Sequence, residues 1–457
     1  MRLNDLQNTS IALVGFEATN RSLFAEMRRH FPTLPVEIRD MRMCAKIPND
    51  PQVSRRLGDD YLQELDGFDV IIRSPGVRYW PELEALRGRI TTSTNLFFDE
   101  VRSTTRAKII AVTGTKGKST TASLIAHLLQ TAGKHAILIG NIDIQEWDHL
   151  SEIDDQTWIV YEMSSYMLED FTGWPDIAVV VSAFPDHLDW HESYPAYIAA
   201  KANITARQSE GDAFLYNAHY DELVRIAKQT KAQRVAIGVD GGLHWQSEWF
   251  LDGALNILPT TTLKLPGDHN RDNALMALAI AKRLKIPWDV VGRAFETFKG
   301  LEHRLEVVAT INNVTYVDDA ISTTPESTIA AIRSCAEPLP LAKGELEGVL
   351  PPVGSLILGG LDRGYDYDLL ADLIVKRHIP HAVLLPGARD KIKTSLMRAG
   401  YRGQVYEAES MDTVVTLCAQ HTPAHHTCLL STAAPSYDLF TNFKDKGNRF
   451  KKAILAL

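Results

Sequence analysis

The chain has 457 residues, 45% of them hydrophobic and 23% charged, too many for one hydrophobic core and enough for about three domains. Its formal net charge of −9, with no basic stripe, argues against nucleic acid as a partner. No apolar run approaches 18 residues, so no membrane insertion and a cytoplasmic location are expected.

From Thr9 to about Val101, short apolar strands (Ile11 to Val14, Val36 to Ile38, Val70 to Ile72) alternate with helical patterns (Ser22 to Arg29, Asp60 to Leu65). That alternation predicts a small doubly wound sheet, which binds ligands beyond its strand ends. The first turn, Gly15 to Asn20, is not a G-x-G-x-x-G fingerprint, so a nicotinamide or flavin has little support. Asp40 and Arg42, then Arg73-Ser74-Pro75-Gly76, are strand-end candidates for a nucleotide sugar, with a plain turn or surface role as the alternative. Polar Arg102 to Arg106 reads as a linker.

The apolar strand Ile109 to Val112 then runs into Thr113-Gly114-Thr115-Lys116-Gly117-Lys118-Ser119-Thr120 and a helix from Thr121 to Leu129. Strand, glycine turn and helix in that order make a phosphate-binding loop. Its backbone N–H groups form an anion site, Lys118 reaches terminal phosphates, and Ser119 offers a hydroxyl to Mg²⁺. Only Thr115 and Lys116 separate Gly114 from Gly117, fewer than in a general P-loop. Beyond it, Trp158 to Glu162 and Ile177 to Val181 read as buried strands, the second leading into Asp186-His187-Leu188-Asp189. Their ends are expected above the loop, where Glu162 and His187 could serve Mg²⁺; each alone also reads as a structural residue. Lys201 falls on a helix beginning near Tyr194 and by itself reads as a solvated lysine. Leu265 to Asn273 opens an Ala-rich helix with capping residues. Lys299 to Arg304 breaks the helical period before further strands, Val314 to Val317, Ser355 to Leu358 and His381 to Leu385. Cys44, Cys335, Cys418 and Cys428 lack C-x-x-C spacing, so neither a zinc site nor a disulfide framework is expected.

The shortened loop resembles that of the Mur ligases and folylpolyglutamate synthases, ATP-dependent enzymes that form amide bonds. Glu162 in an E-x-S-S pattern and His187 in a P-D-H-x-D pattern are similar to the Mur ligases in particular. The resemblance implies an α/β protein of three domains: a Rossmann-like UDP-sugar domain (1–103), a central ATP-binding domain (104–300) and a Rossmann-like C-terminal domain (301–457). It implies that ATP meets Gly114, Thr115, Lys116, Gly117, Lys118, Ser119, Thr120, Asn270, Asn273, Arg304 and Asp319. Two Mg²⁺ ions would be held by Ser119, Glu162, His187 and Lys201, the lysine as a carbamate. The UDP-sugar would meet Asp40, Arg42, Ser74, Pro75, Gly76 and Asn141.

The tail from Leu430 to Phe450 and the segment Leu356-Ile357-Leu358-Gly359-Gly360 resemble the members that add glutamate to UDP-N-acetylmuramoyl-L-alanine. Thr323, Arg363, Ser436 and Phe443 are the implied glutamate contacts. This chain departs from the pattern where it has Ile321 and Arg363 in place of pocket lysines, Lys116 in place of a loop asparagine, and Asp143 in place of glycine. D-glutamate is the family default, and the lost cation leaves L-glutamate open. The other readings are a folylpolyglutamate synthase, which has no UDP-sugar domain, and an ATP-bound switch, which would give Glu162, His187 and Lys201 no reason to occur together. A monomer is expected.

Overall fold

The computed structural model describes residues 1–43, 47–142, 144–265, 267–336, 350–436 and 439–457; Cys44, Asp143, Pro266, Tyr437 and Asp438 lie outside the described residues. Among the described residues three sheets are present, falling at residues 11–91, 108–259 and 306–430. They belong to two compact units, one of Met1–Thr262 with His269–Phe298, the other of Leu263–Asp268 with Lys299–Leu457. Among the described residues no helix is long and apolar enough to cross a membrane.

In the first unit, five parallel strands run in the order Val53–Leu57, Val36–Asp40, Ile11–Val14, Val70–Arg73, Ile90–Thr91. The apolar runs at 11–14 and 70–73 are buried throughout, as strands covered on both faces require. The helix expected at Ser22 to Arg29 extends over Ala18–His30. No helix forms at Asp60 to Leu65: turns lead to a single 3₁₀ turn at Leu65–Gly67, and Arg39 reaches across to the carbonyl of Gln63. The expected linker is also displaced, because Arg102, Ser103 and Thr104 complete the helix Ser93–Thr104, capped by Thr92.

The nine-stranded sheet of this unit has the order Leu255–Pro259, Trp249–Asp252, Leu243–Gln246, Gln233–Ile237, Ala213–Asn217, Ile177–Val180, Lys108–Thr113, Trp158–Glu162, Ala136–Gly140. Its last six strands pair in parallel, and the first three form an antiparallel margin. One continuous core joins the two sheets of this unit. Its centre is aromatic: Phe98 meets Phe171 at 4.8 Å and Tyr161 at 5.4 Å, and Phe97 meets Trp147 edge-on at 5.6 Å. Burying each such ring contributes about 4 to 6 kcal/mol before entropy, so Phe98→Ala would cost about 3 to 5 kcal/mol.

Among its described residues the second unit carries six strands in the order Glu306–Ile311, Val314–Asp318, Thr427–Leu430, Val353–Gly360, His381–Gly387, Gln404–Glu407, all parallel except the first. Helices Asp368–Lys376, Arg389–Arg398 and Met411–His421 alternate with these strands, the pattern of a doubly wound fold. Cys335, Cys418 and Cys428 are buried free thiols.

Candidate active site

The strand Lys108–Thr113 lies between Trp158–Glu162 and Ile177–Val180, with Val112 level with Glu162 and Thr113 level with Val180. The loop that follows it therefore emerges beside both neighbouring strand ends, the usual ligand position in an α/β sheet. Ser182 anchors it: its carbonyl accepts from Thr115 N at 3.0 Å, and its hydroxyl accepts from Lys116 N at 2.9 Å while donating to Lys116 O at 2.8 Å. Thr115 Oγ1 accepts from Tyr197 Oη at 3.0 Å and Phe184 N at 3.2 Å, so this hydroxyl shapes the loop.

Gly117 caps the helix Lys118–Thr131 at φ +83°, a left-handed conformation costly for other residues. A Cβ there would also run into Asn273 Oδ1 and stand 3.0 Å from Val181 Cγ1. Asn273 is buried and donates to Asn270 Oδ1 at 3.2 Å, which brings this asparagine pair against the loop. Ser119 and Thr120 fall in the helix's first turn, where the dipole and open N–H groups favour an anion.

Two amines meet at one carbonyl. Lys118 Nζ donates to Gly114 O at 3.0 Å and Thr115 O at 3.1 Å, and Lys201 Nζ donates to the same Gly114 O at 3.0 Å. Lys201, on helix Tyr194–Ala202, is 1% exposed and lies 4.6 Å from the Tyr197 ring centre. Burial, then the charge of Lys118, hold its amine well below the usual lysine range, although Asp186 opposes them. Lys201 is thus buried, not the solvated lysine that its helix alone suggests.

Glu162 is buried at its strand end, and its Oε1 accepts from Asn141 Nδ2 at 3.2 Å. Asn141, expected on the sugar nucleotide, is placed on this carboxylate because Gly140 pairs with Glu162 across adjacent strands. His187 has φ +52° and places Nδ1 2.8 Å from Tyr166 Oη and Nε2 3.7 Å from Asp186 Oδ2. Burial lowers its pKa, with Lys116, Lys118 and Lys201 adding to the effect against Asp186, so the ring is neutral near pH 7. Lys116 Nζ pairs with Asp186 at 3.2 Å.

At the ends of the five-stranded sheet, Asp40 accepts from Phe16 N at 2.8 Å and from Arg42 N and Nε at 2.8 and 2.9 Å. Its carboxyl is lowered despite burial, by these bonds. Asp40, Arg42 and Gly76 line a cavity of about 300 Å³ with Gly15, Trp80 and Trp190. Ser74 is buried and Pro75 half-buried; neither lines that space. A second cavity of about 440 Å³ shares Arg78 and Trp190 with the first and reaches His191, beside the helix that bears Lys201, and Ala200, on that helix.

In the second unit, Asp319 is buried, accepting from Ser431 Oγ at 2.8 Å and Leu305 N at 3.2 Å. Burial pushes its carboxyl up to about 6, against hydrogen bonds from Ser322 and Ser431 and the charge of Arg304. Thr323, Arg363 and Ser436 lie on segments stitched together by hydrogen bonds: Gly359 N donates to Thr432 O at 2.9 Å, Leu361 N to Pro435 O at 2.8 Å, and the Thr432 side chain, through Oγ1, to Ser322 O at 3.5 Å. Ser436 Oγ is buried without a hydrogen-bond partner among the described residues, and Arg363 is exposed. Phe443 begins the helix Phe443–Ile454, its ring 6.1 Å from His303. Sequence reasoning assigned no role to Lys446, which is buried, donates to Thr432 Oγ1 at 2.5 Å, and has its pKa pushed down to about 7 by burial, against Asp318 and Asp319. It also missed Ser182, Tyr166 and His191. Only the dense polar and aromatic composition of 164–166 and 186–194 hinted at the last two.

Residues 112–281 match the Mur ligase middle domain. The UDP-N-acetylmuramoylalanine--D-glutamate ligase of Acetivibrio thermocellus is 32% identical over 87% of this chain and 85% of its own. The UDP-N-acetylmuramoyl-L-alanine--L-glutamate ligase of a Micromonospora species is 32% identical over 99% of this chain and 98% of its own. The structure of the UDP-N-acetylmuramate-alanine ligase from Thermotoga maritima superposes with a TM-score of 0.60 at 18% identity, covering 98% of this chain and all of that one, and so has the same fold. Sequence relatives across both units and a shared fold agree: the chain belongs to the Mur ligase family of ATP-dependent, amide-bond-forming ligases.

Proposed function

We propose that this protein joins glutamate to UDP-N-acetylmuramoyl-L-alanine at the expense of ATP, a step in making peptidoglycan precursors. The observation that carries the reading is the convergence of Lys118 and buried Lys201 on the Gly114 carbonyl at a helix N-terminus. Loop amides and Lys118 would take the ATP phosphates, with Asn270 and Asn273 beside the loop. The cavities at Asp40, Arg42 and Gly76 and at Trp190 and Ala200, which share Arg78 and Trp190, suit a long acceptor whose far end approaches the Lys201 helix.

The residues fit Mg²⁺. Glu162 is a buried carboxylate, and neutral His187 keeps a ring nitrogen able to ligate. Lys201 favours the uncharged amine that reacts with carbon dioxide, and a carbamate would replace a repelled cation with oxygen ligands. Ser119, Glu162, His187 and the carbamate of Lys201 would hold the metal, which when bound neutralises charge on the phosphates.

Lys118 releases the loop carbonyls and meets the charge that develops as the γ-phosphoryl group passes to the acceptor's carboxylate, giving an acyl phosphate and ADP. The glutamate amine attacks the acyl carbon, the carbon–oxygen bond to phosphate breaks, and inorganic phosphate leaves. Catalysis needs no side-chain nucleophile; it rests on positioning and charge.

Thr323, Arg363, Ser436 and Phe443 are assigned to glutamate; the unsatisfied Ser436 hydroxyl supports the assignment. Two observations favour L-glutamate over the family-default D-glutamate. Ile321 offers no cation, and L-glutamate relatives align over 99% of this chain, D-glutamate relatives over 84 to 92%. Phosphate release from ATP, measured with UDP-N-acetylmuramoyl-L-alanine and each glutamate enantiomer, tests the reading. Release that needs acceptor and L-glutamate together is expected. Release that needs D-glutamate reverses the enantiomer, and none with either refutes the function.

A further inference from the structure

Tyr166 lies in the short helix Ser165–Leu168, just after the strand that ends in Glu162. Its ring is fixed on two sides, stacked on His191 at 5.7 Å and edge-on to Trp190 at 4.7 Å between centroids. His191 is itself held by Ser165 Oγ, 3.0 Å from Nε2. The Tyr166 hydroxyl therefore has a defined place, 2.8 Å from Nδ1 of His187.

A neutral imidazole carries one proton, and its position decides which nitrogen can ligate. Asp186 Oδ2, 3.7 Å from Nε2, favours the proton there, and that tautomer cannot bind a cation through Nε2. Lys116 competes for the same carboxylate at 3.2 Å. On the other side, a phenol oxygen can accept from Nδ1 and stabilise the opposite tautomer.

We propose that Tyr166 is a positioning residue that accepts the Nδ1 proton of His187 and so keeps Nε2 as a metal-ligating atom. The inference rests on the assignment of His187 to Mg²⁺ made above. Partners of this kind orient ligating histidines, and losing one typically weakens metal binding about 10- to 100-fold.

The test uses Mn²⁺ as the probe, titrated by electron paramagnetic resonance into the full chain with ADP and no acceptor. Tyr166→Phe keeps the ring and its packing, and is expected to bind Mn²⁺ about 10- to 100-fold more weakly. His187→Gln should be at least as weak, and adding Tyr166→Phe to it should cost nothing more. Long-range ¹H–¹⁵N spectra of histidine-labelled protein with Mg²⁺ and ADP should show His187 protonated at Nδ1, and at Nε2 in a larger share in Tyr166→Phe. Wild-type Mn²⁺ affinity in Tyr166→Phe, with His187→Gln impaired, overturns the role of Tyr166 alone. Wild-type affinity in His187→Gln overturns the metal assignment as well.

Discussion

Replacing Gly117 with alanine separates backbone strain from collision in the phosphate loop. The residue has φ +83°, where an L side chain costs about 1 to 2 kcal/mol. The new Cβ also meets Asn273 Oδ1 and lies 3.0 Å from Val181 Cγ1. Asn273 must move, giving up its 3.2 Å hydrogen bond to Asn270, worth about 1 kcal/mol. The sum is about 2 to 3 kcal/mol. Gly133 is the control: its φ is +73°, but nothing lies within 4 Å of a Cβ there, so Gly133→Ala has only the backbone cost of about 1 to 2 kcal/mol. Against a native stability of about 5 to 15 kcal/mol both variants fold. Urea melts should rank Gly117→Ala below Gly133→Ala by about 1 kcal/mol. Calorimetric titration with a non-hydrolysable ATP analogue should show at least about tenfold weaker binding for Gly117→Ala alone, since about 1.4 kcal/mol of misfit at the loop amides is a factor of ten. Adding Asn273→Ala should make the double variant's loss less than additive, because the pair shares one collision. Equal stability and equal nucleotide affinity for the two alanine variants would refute the argument that Asn273 and Gly117 are packed against each other to hold the loop.

Lys201→Ala should reduce turnover to near background while leaving the fold intact, and added acetate or formate should restore part of it by supplying carboxylate oxygens; absence of rescue at any concentration contradicts the carbamate. Arg363→Ala should raise the glutamate KM tenfold or more, from about 1.5 to 3 kcal/mol for a lost charged hydrogen bond, with the ATP KM unchanged; steady-state kinetics with each substrate varied decide this. Stability should fall in mild acid through His191, whose pKa burial lowers to about 4 in the folded chain against about 6.5 when unfolded. Unfolding then takes up a proton, so the stabilisation is complete above about pH 6.5 and is lost as the pH falls toward 4, by about 3 kcal/mol at most. His191→Gln should flatten unfolding midpoints measured between these pH values, and an unchanged slope counts against a neutral buried His191.

What could be read in the sequence was local. The phosphate loop declares itself because strand, glycine turn and helix are contiguous, and the strands at 11–14, 70–73 and 158–162 show as apolar runs because both their faces are covered. The failures were local competitions settled by tertiary bonds, as at Asp60 to Leu65, where Arg39 draws the chain into turns. The site's supporting residues were beyond reach for a different reason. Ser182 binds Lys116 from 66 positions away and Tyr197 binds Thr115 from 82, while Lys201, placed at the site only by the family resemblance, reaches Gly114 from 87. No periodicity or spacing records such pairings. They exist only because a parallel sheet sets the ends of strands distant in sequence side by side, which also turns Lys201 from a helix lysine into a buried amine.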